Sequence, residues 1–274
     1  MNVSGKTKIT GIFGCPIEHT LSPFMHNAAF ESLGMDICYI AFKVSPESLQ
    51  EAVKAVRNLN LLGVNITVPH KERVLPMLDK INEEASFIGA VNTITNKDGV
   101  LTGYNTDGRG FLSSLSEEGI QIEQKNICII GAGGASRAIS YYLSEKASRL
   151  YLYDIDTPKV NKLVDDLKKI RSNVHLLDNM NDIGKPDIII NATPLGLKPD
   201  DALPLDPDII TSDMTICDLV YRKTGLLKEA ESRKAKILNG SGMLLWQGIL
   251  AFELWTETKP PVEIMRNALM SRIK

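Results

Sequence analysis

The 274-residue sequence has few cysteines, no internal repeat and no low-complexity segment. Its four cysteines are scattered, with neither a Cys-x-x-Cys pair nor a histidine at zinc-ligand spacing. This pattern argues against a disulfide scaffold and against a structural zinc site. We therefore expect reduced thiols in a cytoplasmic protein, and no metal site.

The sequence also lacks an excess of charge and a long apolar run. Lys and Arg number 31 against 33 Asp and Glu, whereas a dedicated nucleic-acid binder carries a basic excess. No apolar run approaches the roughly 18–20 residues of a membrane helix. The segment Met1–Thr10 has no long apolar core, so it does not resemble a secretory signal. We expect neither a nucleic-acid partner nor a membrane partner.

What is present is typical of a globular protein: 43% of the residues are hydrophobic and 23% are charged. At about 150 residues per domain, the length suggests two domains. A chain of this size buries about three quarters of its unfolded surface, so it needs no covalent staple.

The middle of the chain alternates short apolar strands with helical segments. Helices are predicted from about Ala135 to Glu145 and from Thr157, with Thr157 as N-cap and Pro158 in the first position. The predicted strands are Lys125–Ile130, Arg149–Asp154, Val174–Leu177, Asp187–Ala192 and Thr215–Val220. Such alternation predicts βαβ units, and hence a doubly wound parallel sheet with helices on both faces.

The flanking segments predict a second α/β domain. Strands are predicted at Lys8–Phe13, Cys38–Val44, Gly63–Val68, Val91–Thr95 and Val100–Asn105, and helices at Ser22–Leu33, Pro46–Asn58, Gly242–Thr256 and Pro261–Lys274. Ser22-Pro23 is expected to cap the first of these helices. We place the domain boundaries near Asp107 and Asn239, so that residues 1–107 and 240–274 form one domain and residues 108–239 the other.

The segment Gly131-Ala132-Gly133-Gly134-Ala135-Ser136 follows a predicted strand and opens a helix. Glycines allow a tight turn and close approach of a pyrophosphate, which the helix N-terminus favours electrostatically. This context predicts a Rossmann-type dinucleotide site, and a plain strand-to-helix turn is the alternative.

Asp154 lies at the end of the next predicted strand, 23 residues after Gly131. A carboxylate there accepts hydrogen bonds from the adenosine ribose of NAD and repels the 2′-phosphate of NADP. No arginine follows immediately, so electrostatics favour NAD over NADP. The alternative is a solvated carboxylate at a strand end.

Asn65 and Thr67 lie two residues apart near the end of a predicted strand, so both point to one face. Lys71 follows at the expected start of a helix, where the dipole and partial burial would destabilise its ammonium group. A lysine so placed can exchange a proton near neutral pH. An ordinary surface lysine is the alternative.

The segment Asn96-Lys97-Asp98-Gly99 predicts a hairpin turn, which would place a second set of polar residues at one end of the hairpin. With the turn at Lys97-Asp98, Asn92 lies opposite about Gly103, at the end where Asp107 follows. We therefore expect Asn92 and Asp107 to share a site, with Asp107 pairing with Lys71. The alternative for Asp107 is a helix N-cap.

Thr20 and Ser22 place two hydroxyl groups before a predicted helix, where they can donate hydrogen bonds to a substrate carboxylate. The alternative for Ser22 is a simple N-cap. Tyr221, after a predicted strand, and Gln247, on a predicted C-terminal helix, are further polar candidates.

Seven segments, in this order, resemble the shikimate dehydrogenase family over essentially the whole chain. They are Gly14–Pro23 (GCPIEHTLSP), Asn65–Lys71 (NITVPHK), Gly89–Thr93 (GAVNT), Gly103–Asp107 (GYNTD), Gly131–Ala135 (GAGGA), Asn191–Gly196 (NATPLG) and Gly240–Leu244 (GSGML). The resemblance implies an NAD(P)-dependent oxidoreductase that reversibly reduces 3-dehydroshikimate to shikimate, in the pathway to aromatic amino acids. It also implies a cleft between a substrate domain and a Rossmann domain.

The resemblance implies roles for individual residues. Lys71 and Asp107 match the catalytic pair. Positions that hold the substrate carboxylate match Thr20, Ser22 and Tyr221; those around the ring hydroxyls match Asn65, Thr67, Asn92 and Gln247. Cofactor positions match Gly131, Ala132, Gly133, Gly134, Ala135, Asn191, Thr193, Leu219 and Gly240.

Two departures from the family pattern are present. Thr20-Leu21-Ser22 stands where the family usually has Ser-x-Ser, which keeps the hydroxyl but adds a methyl group. Asp154-Ile155-Asp156 stands where the common NADP form has Asn-Arg-Thr. The second departure moves the chain toward the quinate/shikimate branch, some members of which accept NAD.

Other functions remain open from sequence. A quinate/shikimate dehydrogenase using NAD is the nearest alternative. A methylene-tetrahydrofolate dehydrogenase fits less well, because the hydroxyls of Thr20 and Ser22 suit a small carboxylate. A non-catalytic dinucleotide sensor would not need Lys71 and Asp107. The expected partner is a small-molecule substrate, and the expected assembly is a monomer or a homodimer.

Overall fold

The structure is a computed structural model that describes residues 3–273. Met1, Asn2 and Lys274, which the predicted domains and the last predicted helix include, lie outside the described residues. Contacts divide the chain into two units. The first unit runs to Asp107 and resumes at Leu245, and the second is Gly108–Leu244. Within residues 3–273, no helix combines the length and apolarity needed to cross a membrane.

The first part of the chain alternates strands and helices. In chain order these are β1 (Lys8–Gly14), α1 (Ser22–Ser32), β2 (Ile37–Lys43), α2 (Leu49–Asn58), β3 (Gly63–Ile66), β4 (Lys80–Ile81), α3 (Glu83–Ile88), β5 (Thr93–Lys97), β6 (Val100–Tyr104) and α4 (Asp107–Glu117). The strand order in this sheet is β2-β1-β3-β5-β6-β4. Strand β1 pairs in parallel with both β2 and β3, whereas β5 is antiparallel to both β3 and β6.

The rest of the chain forms the second sheet and the C-terminal helices. In chain order these are β7 (Asn126–Ile130), α5 (Gly134–Lys146), β8 (Arg149–Tyr153), α6 (Thr157–Lys168), β9 (Val174–Leu176), β10 (Ile188–Asn191), β11 (Thr215–Asp218), α7 (Gly225–Ser232), β12 (Lys236–Leu238), α8 (Ser241–Thr256) and α9 (Val262–Met270). The second sheet has the order β9-β8-β7-β10-β11-β12, and all of these pairings are parallel.

This order confirms the predicted Rossmann-type sheet, because it is the doubly wound arrangement in which β7 and β10 lead to opposite edges. The central strands are buried on both faces, as near-continuous isoleucine runs predict. Helix α6 buries Val160, Leu163, Val164 and Leu167, which recur at helical spacing along one face.

From Leu245 onward, the C-terminal helices belong to the first unit. Helix α9 contacts α1. On α8, the indole nitrogen Nε1 of Trp255 donates to the carbonyl of Ile94 on β5, at 2.9 Å. The close approach is possible because Gly63, on the neighbouring strand, has no side chain: a Cβ there would lie 2.1 Å from the same carbonyl oxygen.

The hairpin register differs by one residue at the turn from the prediction. Lys97 pairs with Val100 and Thr93 with Tyr104, so the turn is Asp98-Gly99 rather than Lys97-Asp98. Asp98 and Gly99 have φ values of 52° and 82°. A two-residue turn of this kind requires positive φ at both positions, which Asp and Gly tolerate better than Lys.

Two predicted helix caps are wrong. Helix α6 is capped by Asp156, whose carboxylate accepts from the backbone N–H of Lys159 at 3.2 Å, and not by Thr157. Helix α1 has Leu21 at its N-cap, with no side-chain cap hydrogen bond, so Ser22 is the first helical residue and not the cap. In both cases the cap is one residue earlier than predicted.

Two strands end before their apolar pattern does. Strand β11 stops at Asp218, because the carboxylate accepts from the N–H of Val220 at 3.0 Å and turns the chain. Strand β3 stops at Ile66, and the carbonyl of Thr67 accepts instead from the N–H of His70 in a turn.

Candidate active site

Lys71 and Asp107 form an ion pair in the first unit. The Nζ atom of Lys71 lies 2.5 Å from Oδ2 of Asp107. The two side chains are 21% and 7% exposed, so the pair is largely withdrawn from water. Asp107 begins α4 just after strand β6, and the carbonyl of Lys71 accepts from the N–H of Val91, which leads into β5.

Lys71 does not lie at the start of a helix, which corrects the prediction. Residues 71–74 form a turn, and only a short 3-10 helix, Leu75–Met77, follows. The expected effect of a helix dipole on the ammonium group therefore has no basis. What Lys71 faces is the carboxylate of Asp107.

Asn92 fixes the Asp107 carboxylate from the other side. Its Nδ2 donates to Oδ1 of Asp107 at 2.8 Å and to Oγ1 of Thr106 at 2.9 Å. Its Oδ1 accepts from the backbone N–H of Thr106 at 2.9 Å. Because both ends of the amide are engaged, its orientation is defined, and Oδ2 of Asp107 is left to Lys71. The prediction that Asn92 lies near Asp107 is confirmed by these contacts, despite the different turn.

Asn65 belongs to the same hydrogen-bonded group. Its Nδ2 donates to Oγ1 of Thr93 at 3.0 Å, and Thr93 in turn donates to Oδ1 of Asn92 at 3.0 Å. Register places this contact, because Asn65 on β3 pairs directly with Thr93 on β5. The hydroxyl of Tyr39 donates to Oδ1 of Asn65 at 2.7 Å, and burial raises the pKa of that hydroxyl.

Ser22 joins the group through Tyr39, to whose hydroxyl it is hydrogen-bonded. The buried N–H of Ser22 is 3.4 Å from Oγ1 of Thr20, which accepts. Thr67 and Gln247 are half-buried in the same unit. The first unit thus joins Thr20, Ser22, Asn65, Asn92, Lys71 and Asp107 through a continuous set of contacts.

Three residues of this network were not predicted from sequence: Tyr39, Thr93 and Thr106. Each is buried and each bonds to a predicted site residue. Thr93 and Thr106 adjoin Asn92 and Asp107, so proximity in the chain is a signal for them. Tyr39 lies on β2, two strands from β3, and nothing in its local sequence points to the site.

The glycine loop lies in the second unit, at the carboxyl end of β7. Gly131 has a φ of 109°, and a Cβ there would lie 2.9 Å from the carbonyl oxygen of Ala192. Gly133 is the N-cap of α5, and a Cβ there would meet nothing within 4 Å. The loop therefore offers free space above the helix N-terminus, as close approach of a pyrophosphate requires.

Asp154 follows β8 and contacts the glycine loop. Its Oδ2 accepts from the backbone N–H of Ala132 at 2.6 Å, and its Oδ1 accepts from that of Asp156 at 2.9 Å. The carboxylate is half-buried. It is therefore more than a solvated strand-end charge, because it holds the turn of the loop that it faces.

The other predicted cofactor residues also lie in the second unit. Oδ1 of Asn191 accepts from the N–H and the hydroxyl of Thr193, at 3.1 and 2.7 Å, and fixes the segment after β10. Gly240 packs against Leu219, since a Cβ at Gly240 would lie 2.0 Å from the Leu219 carbonyl oxygen. Tyr221 is half-buried just beyond Leu219.

Asp218, which pairs with Asn191 across the sheet and directly precedes Leu219, was not predicted as a residue of the candidate site. Its buried carboxylate accepts from the hydroxyl of Thr224 at 2.7 Å and from the N–H of Val220. Burial raises the pKa of this carboxyl group, and hydrogen bonds from Thr224, Val220 and Asn191 oppose the rise. These bonds fix the chain on either side of Leu219.

Comparison with family models matches three parts of the chain. Residues 12–94 match the shikimate dehydrogenase substrate binding domain. Residues 114–195 match shikimate / quinate 5-dehydrogenase, and residues 240–270 match the shikimate 5′-dehydrogenase C-terminal domain.

Similar proteins cover nearly the whole chain. Shikimate dehydrogenase (NADP(+)) of Desulforamulus reducens is 43% identical over 99% of this chain and 97% of its own. A crystal structure of shikimate dehydrogenase in complex with NADP+ has a TM-score of 0.94 at 39% identity, covering 100% of this chain and 98% of its own.

A further structure, shikimate 5-dehydrogenase from Listeria monocytogenes in complex with shikimate and NAD, has a TM-score of 0.90. It is 36% identical and covers 97% of this chain and 98% of its own. The three model matches lie in the order of the motifs in this sequence, and the relatives extend over its full length. The chain therefore belongs to the shikimate dehydrogenase family.

Proposed function

We propose that this chain catalyses the reversible NAD(P)-dependent reduction of 3-dehydroshikimate to shikimate. The observation that carries the proposal is the Lys71–Asp107 pair, at 2.5 Å and largely withdrawn from water, in a chain of this family. A secluded ammonium beside a carboxylate can both hold a substrate hydroxyl and exchange a proton with it.

Lys71 and Asp107 handle the proton in this proposal. The Nζ atom of Lys71 passes a proton to the C3 oxygen during reduction and takes it back during oxidation. Asp107 accepts a hydrogen bond from a substrate hydroxyl and maintains the charge of Lys71. Asn92 holds Oδ1 of Asp107, so the carboxylate cannot turn away from Lys71.

We assign further polar residues of the chain to the substrate. We assign Thr20, Ser22 and Tyr221 to the carboxylate. Asn65, Thr67, Asn92 and Gln247 are assigned to the ring hydroxyls. Hydroxyl and amide groups already oriented by neighbours bind with a smaller entropy loss, and the contacts of Ser22 and Asn65 with Tyr39 provide this orientation.

The glycine loop fits a dinucleotide. Gly133 leaves open space where a Cβ would otherwise stand, and the backbone N–H groups at the start of α5 face it. We assign Gly131, Ala132, Gly133, Gly134 and Ala135 to the pyrophosphate. We assign Asn191, Thr193, Leu219 and Gly240 to the nicotinamide half. A bound nicotinamide dinucleotide supplies or accepts the hydride at the substrate C3, and the protein supplies orientation.

Within the NAD(P) class we propose a preference for NAD. The Asp154 carboxylate stands at the end of β8, where the adenosine ribose of a dinucleotide lies in this fold. Ile155, which follows it, is 90% exposed and carries no charge to pair with a 2′-phosphate. The relatives named NADP(+) enzymes weigh against this preference, so it needs a direct test.

A second candidate is a quinate/shikimate dehydrogenase that uses NAD. The Asp154-Ile155-Asp156 sequence favours it, because the family's common NADP form has Asn-Arg-Thr there. Residues 114–195 match a model that describes both substrates.

The experiment is an assay of purified protein with shikimate or quinate, each with NAD or NADP, followed by the absorbance of reduced nicotinamide. Shikimate turnover supports the proposal, and faster turnover with NAD than with NADP supports the role of Asp154. Comparable quinate turnover favours the second candidate. Cofactor binding without turnover on either substrate would indicate a sensor and would contradict both.

A further inference from the structure

His70 is fully buried next to Lys71 and has no role in the function proposed above. Its Nε2 atom lies 2.7 Å from the carbonyl oxygen of Val44, the residue that follows β2. Its Nδ1 atom is buried without a hydrogen-bond partner. The ring belongs to the interior of the first unit, since its exposure is 0%.

The donor of this hydrogen bond follows from its partner, the carbonyl of Val44. A carbonyl oxygen can only accept, so Nε2 of His70 carries the hydrogen and donates it. In the neutral ring, Nδ1 is then an acceptor to which no group donates a hydrogen bond. An apolar side chain of similar size would fill this space without burying an unsatisfied nitrogen. Packing therefore does not explain a histidine here, and the hydrogen bond to Val44 does.

That bond connects the Lys71 turn to a different part of the sheet. Two backbone bonds hold the turn locally: the N–H of His70 donates to the Thr67 carbonyl, and the N–H of Val74 to that of His70. A third joins it to the segment before β5, because the Lys71 carbonyl accepts from the N–H of Val91. The His70 ring reaches Val44 instead, whose own N–H donates to the carbonyl of Gly14 at the end of β1. The ring thus ties the turn to the ends of β1 and β2.

We propose that His70 is a positioning residue for Lys71. Its Nε2–H···O bond to Val44 fixes the position of the Lys71 turn, and with it the distance from Nζ of Lys71 to the Asp107 carboxylate. The proposal rests on the proton role of Lys71 proposed above. A 2.5 Å ion pair has little slack, so a small displacement of the turn changes the geometry of proton transfer.

The test uses variants that differ in whether they can reach Val44. His70→Gln keeps an N–H donor near the Nε2 position, His70→Asn places it too close to the backbone, and His70→Leu has none. We expect kcat to fall about 10- to 100-fold in His70→Leu and His70→Asn, with KM for the substrate within threefold. We expect His70→Gln to recover kcat to within about threefold, and the pH profile of kcat to move only in the impaired variants.

A double-mutant cycle connects the effect to Lys71. In a Lys71→Ala background, His70→Leu should lower kcat no further, because the group that it positions is absent. An equal loss in both backgrounds, or no rescue by Gln, would overturn the positioning role.

Stability is the second measurement. Unfolding midpoints are compared for all variants. If His70→Leu and His70→Phe fail to fold while His70→Gln folds with normal kcat, the hydrogen bond to Val44 is required for the fold itself and the positioning role is wrong. A Lys71→Ala variant that keeps wild-type kcat would refute the proposed function itself, and this outcome is read independently of His70.

Discussion

The candidate sites of the two units differ in whether side chains or backbone groups form them. In the first unit the site is made of side chains, and Lys71, Asn92 and Asp107 orient one another through hydrogen bonds. In the second unit the candidate site is largely backbone. It is a glycine loop at the end of β7, and the absence of side chains there leaves space for a ligand. The first should be sensitive to the loss of a functional group, and the second to the addition of a methyl group.

This difference bears on prediction. A backbone site needs only a strand, glycines and a helix in sequence, so a short local pattern identifies it. A side-chain site draws on residues 36 positions apart, as Lys71 and Asp107 are, and depends on how strands pair. Four experiments would break or sharpen the comparison.

The largest effect is expected from removing a functional group in the first unit. Lys71→Ala should lower kcat at least about 100-fold, because it deletes the group that we propose exchanges the proton. Lys54→Ala is the matched control, since Lys54 also pairs with a carboxylate, Glu51, at 2.8 Å, but both partners are exposed. Steady-state kinetics with shikimate checks this, and near-wild-type kcat in Lys71→Ala would refute the role.

Next comes the addition of one methyl group to the loop of the second unit. Gly131→Ala should lower the free energy of unfolding without cofactor by about 1–3 kcal/mol, because its φ of 109° strains any other residue. Gly133→Ala should leave that stability unchanged within about 0.5 kcal/mol, since its Cβ meets nothing within 4 Å.

The two variants separate fold from ligand. Gly133→Ala should still weaken dinucleotide binding, measured by isothermal titration calorimetry, because the methyl group enters the space proposed for the pyrophosphate. Undiminished affinity in Gly133→Ala would show that the loop does not hold the cofactor.

A smaller effect is expected from removing one charge. Asp154→Asn keeps an oxygen that can accept from the Ala132 N–H but removes the repulsion of a 2′-phosphate. The ratio of kcat/KM for NADP over NAD should rise about 10-fold, or about 1.4 kcal/mol. Asp156→Asn, which removes an exposed charge two residues away, should change the ratio less. Equal changes in both variants would show a general charge effect and not a role of Asp154.

The smallest effect concerns His26, which is buried in the first unit and stacks on Tyr39 at 4.5 Å between ring centroids. Burial lowers the pKa of His26 from 6.5 to about 3. The unfolded chain therefore takes up a proton below pH 6.5 that the folded chain refuses, and stability falls with pH from 6.5 down to about 3.

Between pH 6.5 and 5.5 this group should cost about 1 kcal/mol of unfolding free energy. His26→Phe should remove that part of the acid loss, as measured by urea unfolding at both pH values. His175→Phe, at an exposed position on β9, should leave most of it. An identical acid loss in wild type and His26→Phe would contradict the assignment.

Sequence alone identified the family and the α/β class, and the comparisons and the strand order confirm both. The Rossmann sheet was predictable because a parallel strand buried on both faces reads as an apolar run, as at Asn126–Ile130. The helix at Lys71 was wrongly predicted, because Pro69 and the residues after it resemble a helix start yet form a turn.

The contents of the candidate site were predicted less completely. The residues in motifs were found, but Tyr39 was not, since its hydrogen bond to Asn65 depends on how β2, β1 and β3 lie side by side. The hairpin turn was misplaced by one residue, because it was centred on Lys97-Asp98 although Asp98 and Gly99 tolerate the required positive φ better.

The sequence by itself determined which residues carry functional groups and how strands alternate with helices, because glycine, proline and apolar periodicity act locally. Only the tertiary structure decided which of those groups meet. Strand pairing sets Asn65 against Thr93, and the chain after β6 carries Asp107 to Lys71. These contacts join residues distant in sequence, and no local propensity encodes the distance between their atoms.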